Sequence, residues 1–361
     1  MSLTDYIEKI SNLSAKGGYS LSLTEKALAH QELLAFLDLH HTSNCPQFSN
    51  FRLPGINESS LEADIDRFLP AKLFKDFDWI SRYPGMNGGK TFLSSGTSGS
   101  SRSRIFIDAL TSKLQRQSFS KLFCSFVGKE RLPMLILGSA RSREREELNA
   151  THAGSAAFML FAKRIFYAYD DEGNIDVEEI RKFYASSENN VYIFGLTSTL
   201  YKYLGDLLKT GLPPEYSGTA HIIHGGGWKK LADAGLGDRE LNEEIRKIFQ
   251  DYRLIEYYGL VEQLGTIFFK CNFGFFHCSD LSDITIFGKD GNVLNNRNPG
   301  MIGITSLLPL SYPGHRILTE DHGAIENGSN DEICSCGVNG KFFSLFGRLP
   351  MSELRGCANV N

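Results

Sequence analysis

The sequence predicts an α/β fold with a β-rich part toward its carboxyl end. Three short apolar runs end at Gly138, Gly195 and Gly225, and stretches with helical periodicity lie between them. Continuous apolar runs of this kind are typical of buried parallel strands, and the intervening helices are typical of their crossovers. After about residue 264 the helical periodicity disappears, and apolar segments joined by turns predict further strands. We therefore expect parallel or mixed sheets layered with helices, followed by a β-rich subdomain.

The elements follow from the pattern in chain order. Apolar positions recur at helical spacing over residues 4–15 and 23–39, so the first 85 residues are expected to be helical with proline-containing loops. Strands are predicted at 134–137, 191–194 and 221–223, helices at 111–126, 176–186 and 239–250, and later strands at 266–269, 283–287, 303–308 and 315–318. The expected division is a helical segment at 1–85, an α/β region at 86–264, and a β-rich subdomain with a tail at 265–361.

Composition excludes several classes of function. The chain has 361 residues, 42% of them hydrophobic, and a formal net charge of -4, so it lacks the basic field that nucleic-acid binding requires. No apolar run approaches the roughly 20 residues that cross a bilayer, and the amino terminus does not resemble a signal peptide. We expect a cytoplasmic protein with no membrane partner. Seven cysteines are an odd number for a disulfide framework and favour thiol chemistry or metal binding instead.

A loop rich in hydroxyls and glycine stands between Phe92 and Arg104. Glycine lets backbone amides turn toward a ligand, and hydroxyls and arginines bind phosphoryl oxygens, which favours an anion-binding loop. The pattern differs from the GxxxxGK[ST] loop because no Lys-Ser or Lys-Thr closes it. A solvated Ser/Gly linker explains the same composition. The loop alone leaves both interpretations open.

Three later motifs extend the pattern. Tyr258-Gly259-Leu260-Val261-Glu262 follows a helix-like stretch, Thr319-Glu320-Asp321-His322-Gly323 follows an apolar segment, and Gly347-Arg348 lies near the carboxyl terminus. In this order, behind the hydroxyl-rich loop, they resemble the acyl-adenylate-forming superfamily, which includes acyl-CoA ligases, peptide-synthetase adenylation domains and firefly-type luciferases. The resemblance implies the large amino-terminal domain of that fold, with 86–264 as its nucleotide-binding region and without the family's small carboxyl-terminal domain.

Two narrower relatives are similar to this chain. Cys334-Ser335-Cys336-Gly337, Gly347-Arg348 and Arg355-Gly356 resemble the carboxyl-terminal part of phenylacetate-CoA ligases. The bacterial acyl-protein synthetases of the LuxE type, which activate fatty acids for the luminescence reductase complex, are more similar still. They share Ser94 to Gly99, the run from Ile222 to Lys229, and the pair Gly356-Cys357. This resemblance spans roughly residues 90–361.

The superfamily resemblance implies a role for each motif. The hydroxyl-rich loop is expected to bind the ATP phosphates, and Tyr258-Gly259 and the glycine turn (Gly225 to Gly227) are expected to bind adenine. Glu262 is expected to bind Mg²⁺, and Asp321 is expected to bind the ribose. Arg316 and Arg348 are expected to lie near the α-phosphate and the ribose. Val261 replaces the family's threonine, which removes one hydroxyl. The phosphate-binding residues implied are Ser94, Ser95, Gly96, Thr97, Gly99 and Arg102, with Arg102 in place of the family's lysine, and the glycine turn is Gly225, Gly226 and Gly227. A strand-ending turn is the alternative explanation for those three glycines.

Cys357 is the candidate acyl acceptor. A deprotonated thiol on a segment near the chain end can attack an acyl-adenylate, form a thioester and present it to an acyl reductase partner. The alternative is an ordinary free thiol on a tail. The resemblance to the acyl-protein synthetases favours the first interpretation and assigns catalytic roles to Cys357, Glu262 and Arg348.

Four residues have the spacing of a structural zinc site. Cys271 and His277 form one short pair, and Cys334 and Cys336 form another further along the chain. Two such pairs suit tetrahedral Zn²⁺, with Cys278 as the second choice for a ligand. Unrelated buried thiols are the alternative.

The sequence thus predicts an ATP-dependent acyl-protein synthetase that activates a carboxylic acid, with a fatty acid as the expected substrate. The alternatives are an acyl- or aryl-CoA ligase of the phenylacetate type and a non-catalytic binding protein with the adenylate-forming fold.

Overall fold

The computed structural model describes residues 1–51, 64–94, 102–140, 156–186, 189–211, 216–227, 236–295, 297–327 and 333–348. The named helices within those ranges are α1 (Leu3–Ala15), α2 (Leu23–Asn44), α3 (Pro46–Phe51), α4 (Leu73–Asp76), α5 (Ala109–Phe126), α6 (Val177–Ala185), α7 (Thr197–Lys209) and α8 (Asp238–Arg246). The named strands are β1 (Leu69–Pro70), β2 (Lys90–Leu93), β3 (Arg104–Ile107), β4 (Leu132–Ile136), β5 (Ala162–Tyr167), β6 (Asn190–Leu196), β7 (Thr219–Gly225), β8 (Tyr252–Tyr258), β9 (Phe268–Phe269), β10 (Phe276–His277), β11 (Ser282–Phe287), β12 (Val293–Leu294), β13 (Gly300–Ser306), β14 (Arg316–Ile325) and β15 (Phe342–Arg348).

This alternation of helices and strands confirms the predicted α/β class. In the described ranges, none of the helices has both the length and the apolar character needed to span a bilayer. The chain divides into two compact units, one made of residues 127–258 and the other of 1–126 together with 259–361. The domain limits expected from the sequence, after residues 85 and 264, stay a prediction. The boundaries of the two compact units fall after residues 126 and 258.

Residues 127–258 are built on a parallel sheet. Its strands pair in the order β5–β4–β6–β7–β8. Helices α6, α7 and α8 contribute side chains to one buried apolar cluster with the sheet, and each fully buried side chain of this kind contributes roughly 1.5–3 kcal/mol. The cluster includes Leu135, Ile193 and Ile222 from the strands and Phe183, Leu204 and Ile245 from the helices. The continuous apolar runs of the sequence are therefore the core of this unit.

The other unit contains an antiparallel sheet. Its strands pair in the order β10–β15–β14–β13–β11–β12, and β1 joins β14 in parallel with Leu69 opposite Ile317. The register shifts once between β13 and β14 and once between β14 and β15, the second time at His322 and Gly323. Such irregularities bend a strand and redirect its side chains. This second shift begins one residue after Asp321, one of the candidate site residues.

Helices α1 and α2 begin with capping boxes. The Ser2 hydroxyl accepts from the Asp5 backbone N–H and the Asp5 carboxylate accepts from the Ser2 N–H, and Ser22 and Glu25 repeat the arrangement. Each box satisfies two backbone donors that a helix start leaves free. The buried side of α2 carries Leu33 into the same apolar cluster as residues 307–310, which follow β13.

A buried ion pair joins α2 to β14. Arg316 Nη1 lies 2.7 and 2.8 Å from the two carboxylate oxygens of Asp38, and His315 Nε2 lies 2.9 Å from Oδ1. The Arg316 and Asp38 side chains are only 11% and 14% exposed. Burial by itself raises the pKa of Asp38, but the hydrogen bond from His315 and the charge of Arg316 hold that pKa well below its usual range.

We expect Asp38→Asn to lower the free energy of unfolding by about 3–5 kcal/mol, because it leaves the buried Arg316 charge without its carboxylate. Urea unfolding of both proteins measures the difference. Glu178→Gln is the matched control, since it breaks the Arg181–Glu178 pair, whose side chains are 57% and 72% exposed. That loss should stay below about 1 kcal/mol.

The pH dependence provides a second check on Asp38. Because folding lowers its pKa, the stabilising contribution is complete above the ordinary carboxyl pKa of about 3.9 and is lost as the pH falls below that value. Asp38→Asn should therefore reduce the acid sensitivity of the unfolding free energy. Equal sensitivity in the two proteins would contradict this assignment.

Candidate active site and candidate metal centre

The hydroxyl-rich loop is closed at its base by two serines. Strands β2 and β3 pair antiparallel up to Leu93 and Arg104. Beyond that pair, the Ser94 N–H donates to the Ser103 carbonyl oxygen at 3.0 Å, and the Ser103 N–H donates to Ser94 Oγ at 2.9 Å. The Ser94 side chain thus takes the place of a backbone acceptor and continues the hairpin by one residue on each side.

Two of the predicted phosphate-binding residues, Ser94 and Arg102, lie in the described ranges. Ser95, Gly96, Thr97 and Gly99 lie outside them. Arg102 is partly buried and stands directly before Ser103. Arg104, at the exit of the loop, donates from Nε to Asp78 Oδ1 at 2.7 Å and from Nη1 to the Lys75 carbonyl at 3.0 Å.

Glu262 lies beside the base of this loop. It belongs to the short 3₁₀ helix Val261–Gln263 and is 8% exposed. Ser103, which is fully buried, donates its hydroxyl proton to Glu262 Oε1 at 2.6 Å. Burial raises the pKa of Glu262, and the hydrogen bond from Ser103 opposes that shift by stabilising the carboxylate. The bond has the short length expected between a hydroxyl and an ionised carboxylate.

The neighbouring Gln263 fixes the turn that carries Glu262. Its Nε2 donates to the carbonyls of Ile304 at 3.1 Å and Gly314 at 2.7 Å. Both amide hydrogens therefore bind backbone acceptors in and after β13. The position of the Glu262 carboxylate is set by these contacts and by Ser103.

Asp321 and Arg348 face each other across β14 and β15. They are register partners, and Arg348 Nε lies 3.7 Å from Asp321 Oδ1. The Asp321 N–H donates to Thr319 Oγ1 at 3.0 Å, while Thr319 donates its hydroxyl proton to the Ile302 carbonyl at 2.8 Å. Asp321 is thus held near the β-bulge, while the Arg348 side chain is 71% exposed. The two predicted ribose-region residues are brought together in this unit.

Arg316 forms a buried ion pair at the start of β14. Its Nη1 binds the Asp38 carboxylate, and the side chain is 11% exposed. The Asp38 partner lies 278 residues earlier in the chain. Contact between Arg316 and a phosphate stays a prediction, and the observed contact is a structural ion pair.

The glycine turn follows β7 in the parallel-sheet unit. Gly225 faces Tyr257 in the β7–β8 register, and a Cβ at position 225 would lie 2.7 Å from the Tyr257 ring. Gly226 and Gly227 have φ angles of 85° and 69°, in the region that favours glycine. Packing and turn geometry thus account for these residues locally. Tyr258 is the last residue of β8 and is 9% exposed.

A buried histidine precedes the glycine turn. His224 Nδ1 lies 3.0 Å from Thr197 Oγ1, and the same hydroxyl donates to the Gly225 carbonyl at 3.1 Å. This pair at the carboxyl ends of β6 and β7 was not singled out from the sequence. Thr197 is the first residue of α7, so only the parallel alignment of the two strands brings it to His224.

The four predicted metal ligands lie together. One ligand atom from each of Cys271, His277, Cys334 and Cys336 falls within 4.8 Å of the others. Cys271 Sγ lies 4.0 Å from Cys334 Sγ, and Cys336 Sγ lies 3.4 Å from His277 Nε2. Around tetrahedral Zn²⁺, bonds of about 2.3 Å to sulfur and about 2.0 Å to nitrogen separate neighbouring ligand atoms by roughly 3.5–3.8 Å. The donor set and its spacing therefore fit zinc.

Burial shifts the pKa of two side chains in this group, His277 and Cys336. Burial lowers the pKa of His277 to about 4, so its imidazole is neutral and able to ligate. Burial and the neighbouring Cys334 and Cys271 sulfurs raise the pKa of Cys336 to about 12. Such thiols ionise readily only when a metal compensates their charge. Cys278, the second choice, does not belong to the four-residue group, and burial raises its pKa to about 12.

Cys357, the candidate acyl acceptor, lies outside the described residues. Two contacts could not be inferred from the sequence: the Ser103 hydrogen bond to Glu262 and the Asp38 ion pair with Arg316. Ser103 stands at the end of the hydroxyl-rich loop, but no spacing rule connects it to a glutamate 159 residues later.

The chain shares its fold with solved acyl-CoA ligases. An open conformation of 2-hydroxyisobutyryl-CoA ligase in complex with 2-HIB-AMP and CoA aligns with a TM-score of 0.70 and 12% identity, covering 92% of this chain and 77% of that chain. The same ligase in its postadenylation state with 2-HIB-AMP aligns with a TM-score of 0.70 and 13% identity, covering 93% and 70%. Identities this low show a common fold alone. No curated protein gives a significant match.

The family model for "Acyl-protein synthetase, LuxE" matches residues 18–361. This match confirms the resemblance inferred from the motifs. It covers nearly the whole chain, including the hydroxyl-rich loop, Glu262, the metal-ligand cluster and the segment with Cys357. The chain therefore belongs to the LuxE acyl-protein synthetase family and is an ATP-dependent ligase of the acyl-adenylate-forming kind.

Proposed function

We propose that this ligase activates a carboxylic acid, with a fatty acid as the expected class, and passes the acyl group through Cys357 to a partner acyl reductase. The observation that supports Mg²⁺–ATP binding is the direct hydrogen bond between the base of the hydroxyl-rich loop and the buried Glu262 carboxylate. A phosphate-binding loop and a metal-binding carboxylate must be adjacent if they are to hold one Mg²⁺–ATP. The family match over residues 18–361 supports an acyl group delivered to protein.

In the first step an oxygen of the substrate carboxylate attacks the α-phosphorus of ATP. The bond between the α-phosphorus and the oxygen that bridges it to the β-phosphate breaks, and pyrophosphate leaves. When bound, Mg²⁺ would supply positive charge that offsets the charge of the phosphates. In the proposed arrangement, Glu262 binds the cation, the hydroxyl-rich loop holds the phosphates, and Asp321 accepts hydrogen bonds from the ribose hydroxyls. Arg348 lies near Asp321 and is exposed, so it can approach phosphate or ribose. Positioning and charge stabilisation supply most of the catalysis in such a reaction.

In the second step the Cys357 thiolate attacks the acyl carbon of acyl-AMP, AMP leaves, and a thioester forms. The reductase partner then receives the acyl group from that thioester. The second candidate is transfer to CoA, and the fold shared with a CoA ligase favours it. The acceptor thiol distinguishes the two, because only the first leaves the acyl group on the protein.

We expect Cys357→Ala to abolish covalent labelling of the protein by a radiolabelled fatty acid in the presence of ATP and Mg²⁺. The substitution removes the nucleophile but leaves adenylation intact, so ATP–pyrophosphate exchange should persist. Denaturing gels measure the label, and Cys124→Ala is the control that should retain it. Label on Cys357→Ala, or release of the label only as acyl-CoA, would contradict transfer to this cysteine.

We expect Glu262→Gln to lower the rate of ATP–pyrophosphate exchange by about 100-fold or more, the scale for losing one group that stabilises transition-state charge. The amide retains an acceptor for Ser103 but removes the negative charge available to Mg²⁺. Exchange assays at saturating ATP measure the effect. Glu243→Gln, in an exposed pair with Arg239, should leave the rate unchanged. A normal rate in Glu262→Gln would remove this carboxylate from the mechanism.

We further propose that Cys271, His277, Cys334 and Cys336 bind a structural Zn²⁺, since four protein ligands leave no open coordination position. Elemental analysis of the purified protein should find about one zinc per chain. Cys334→Ser should lower the zinc content and the melting temperature, because zinc-binding energy contributes to folding. Cys278→Ser is the matched control and should retain zinc. Full zinc content in Cys334→Ser, or its loss in Cys278→Ser, would overturn this ligand set.

A further inference from the structure

Among the described residues at the base of the loop, Ser103 connects the loop to Glu262 through its side chain. Its backbone participates in the base of the loop, where Ser94 N–H donates to its carbonyl and its own N–H donates to Ser94 Oγ. Its side chain is fully buried and donates to Glu262 Oε1 at 2.6 Å. One residue therefore joins the two ends of the loop to each other and to the carboxylate.

The arrangement limits how the carboxylate can move. A serine hydroxyl has one proton, and Ser103 gives it to Oε1, so that oxygen is directed toward the loop base. The backbone of Glu262 cannot shift freely either, because Gln263 binds the Ile304 and Gly314 carbonyls. The carboxylate is thus held at Oε1 by Ser103 and from behind by the fixed turn.

We infer that Ser103 is a positioning residue that couples Mg²⁺ binding to ATP binding, by holding the Glu262 carboxylate in register with the loop that binds the phosphates. This inference rests on the proposed function. Ser103 itself need not touch the nucleotide or the metal. Its hydroxyl keeps one carboxylate oxygen occupied and oriented, so that the other meets a cation carried by the phosphates without prior rearrangement.

The coupling has a measurable form. If Ser103 aligns Glu262 with the loop, Mg²⁺ strengthens ATP binding in the wild-type protein, and removing the hydroxyl reduces that enhancement. ATP binding without metal depends on the loop and should change little. The ratio of the ATP dissociation constants in EDTA and in Mg²⁺ measures how much Mg²⁺ strengthens ATP binding. A change in this ratio therefore separates the contribution of Ser103 from general damage to the site.

Calorimetric titration of ATP into the full chain, in EDTA and in Mg²⁺, is the test. We expect Ser103→Ala to reduce the ratio about tenfold, in the range for a hydrogen bond to a charged group. Ser103→Thr keeps the hydroxyl and should restore most of the ratio. Ser311→Ala is the matched control, since Ser311 is also fully buried and donates to a backbone carbonyl, that of Phe106, at 2.9 Å.

The outcomes are distinct. An unchanged ratio in Ser103→Ala, or an equal loss of affinity with and without metal, overturns the inference while leaving the proposed function intact. Failure of wild type to bind Mg²⁺–ATP and to exchange pyrophosphate overturns both. If Ser103→Ala does not fold, as judged by its melting curve, Ser103→Cys serves instead. It keeps a side chain of similar size but replaces the hydroxyl with the weaker thiol donor, and it should reduce the ratio in the same direction; no reduction counts against the coupling.

Discussion

The hydrogen bond between Ser103 and Glu262 is the contact on which the candidate site depends. A carboxylate that is 8% exposed is costly to bury unless a donor satisfies it. Ser103 can be that donor only if the start of β3 and the 3₁₀ helix that carries Glu262 meet, and Gln263 fixes the same helix to β13 and the loop after it. The hairpin, the turn and the antiparallel sheet are therefore positioned by one polar contact and its immediate neighbours.

Buried charges explain why the amino-terminal helices belong to the same compact unit as the carboxyl-terminal strands. Asp38 on α2 binds Arg316 on β14. The Asp280 carboxylate accepts from the backbone N–H groups of Ser20 and Leu21, just before α2. Lys26 Nζ, on the buried side of α2, lies 3.8 Å from Asp283 in β11. A helical segment with few specific sequence features is thus attached to the sheet by contacts that are expensive to leave unsatisfied.

Much of the fold could be predicted because it follows from local patterns. The apolar runs at 191–194 and 221–223 lie in β6 and β7, and the run at 134–137 ends one residue beyond β4, since a parallel strand buried on both faces needs an unbroken apolar sequence. The four candidate metal ligands could be identified as two short pairs, because each pair is itself local. The structure places the two pairs close together.

The contacts that could not be predicted are those between distant single residues. The family motif places Arg316 near a phosphate. The sequence does not identify Asp38 as its partner, because Asp38 is one of many acidic residues in segments with helical periodicity. Ser103 is one hydroxyl among several in its loop. Periodicity identifies which face of an element is buried, and it carries no information on which polar groups will meet across 159 or 278 residues.

The threonine at the start of α7 has a consequence for the glycine turn. A hydroxyl has one proton, so Thr197 can donate either to the Gly225 carbonyl at 3.1 Å or to His224 Nδ1 at 3.0 Å. When the proton goes to the carbonyl, the imidazole donates from Nδ1, and a neutral ring then carries a lone pair on Nε2. When the proton goes to Nδ1, a neutral ring carries its hydrogen on Nε2. The tautomer of His224 therefore decides whether the end of the central strands presents an acceptor or a donor at this ring.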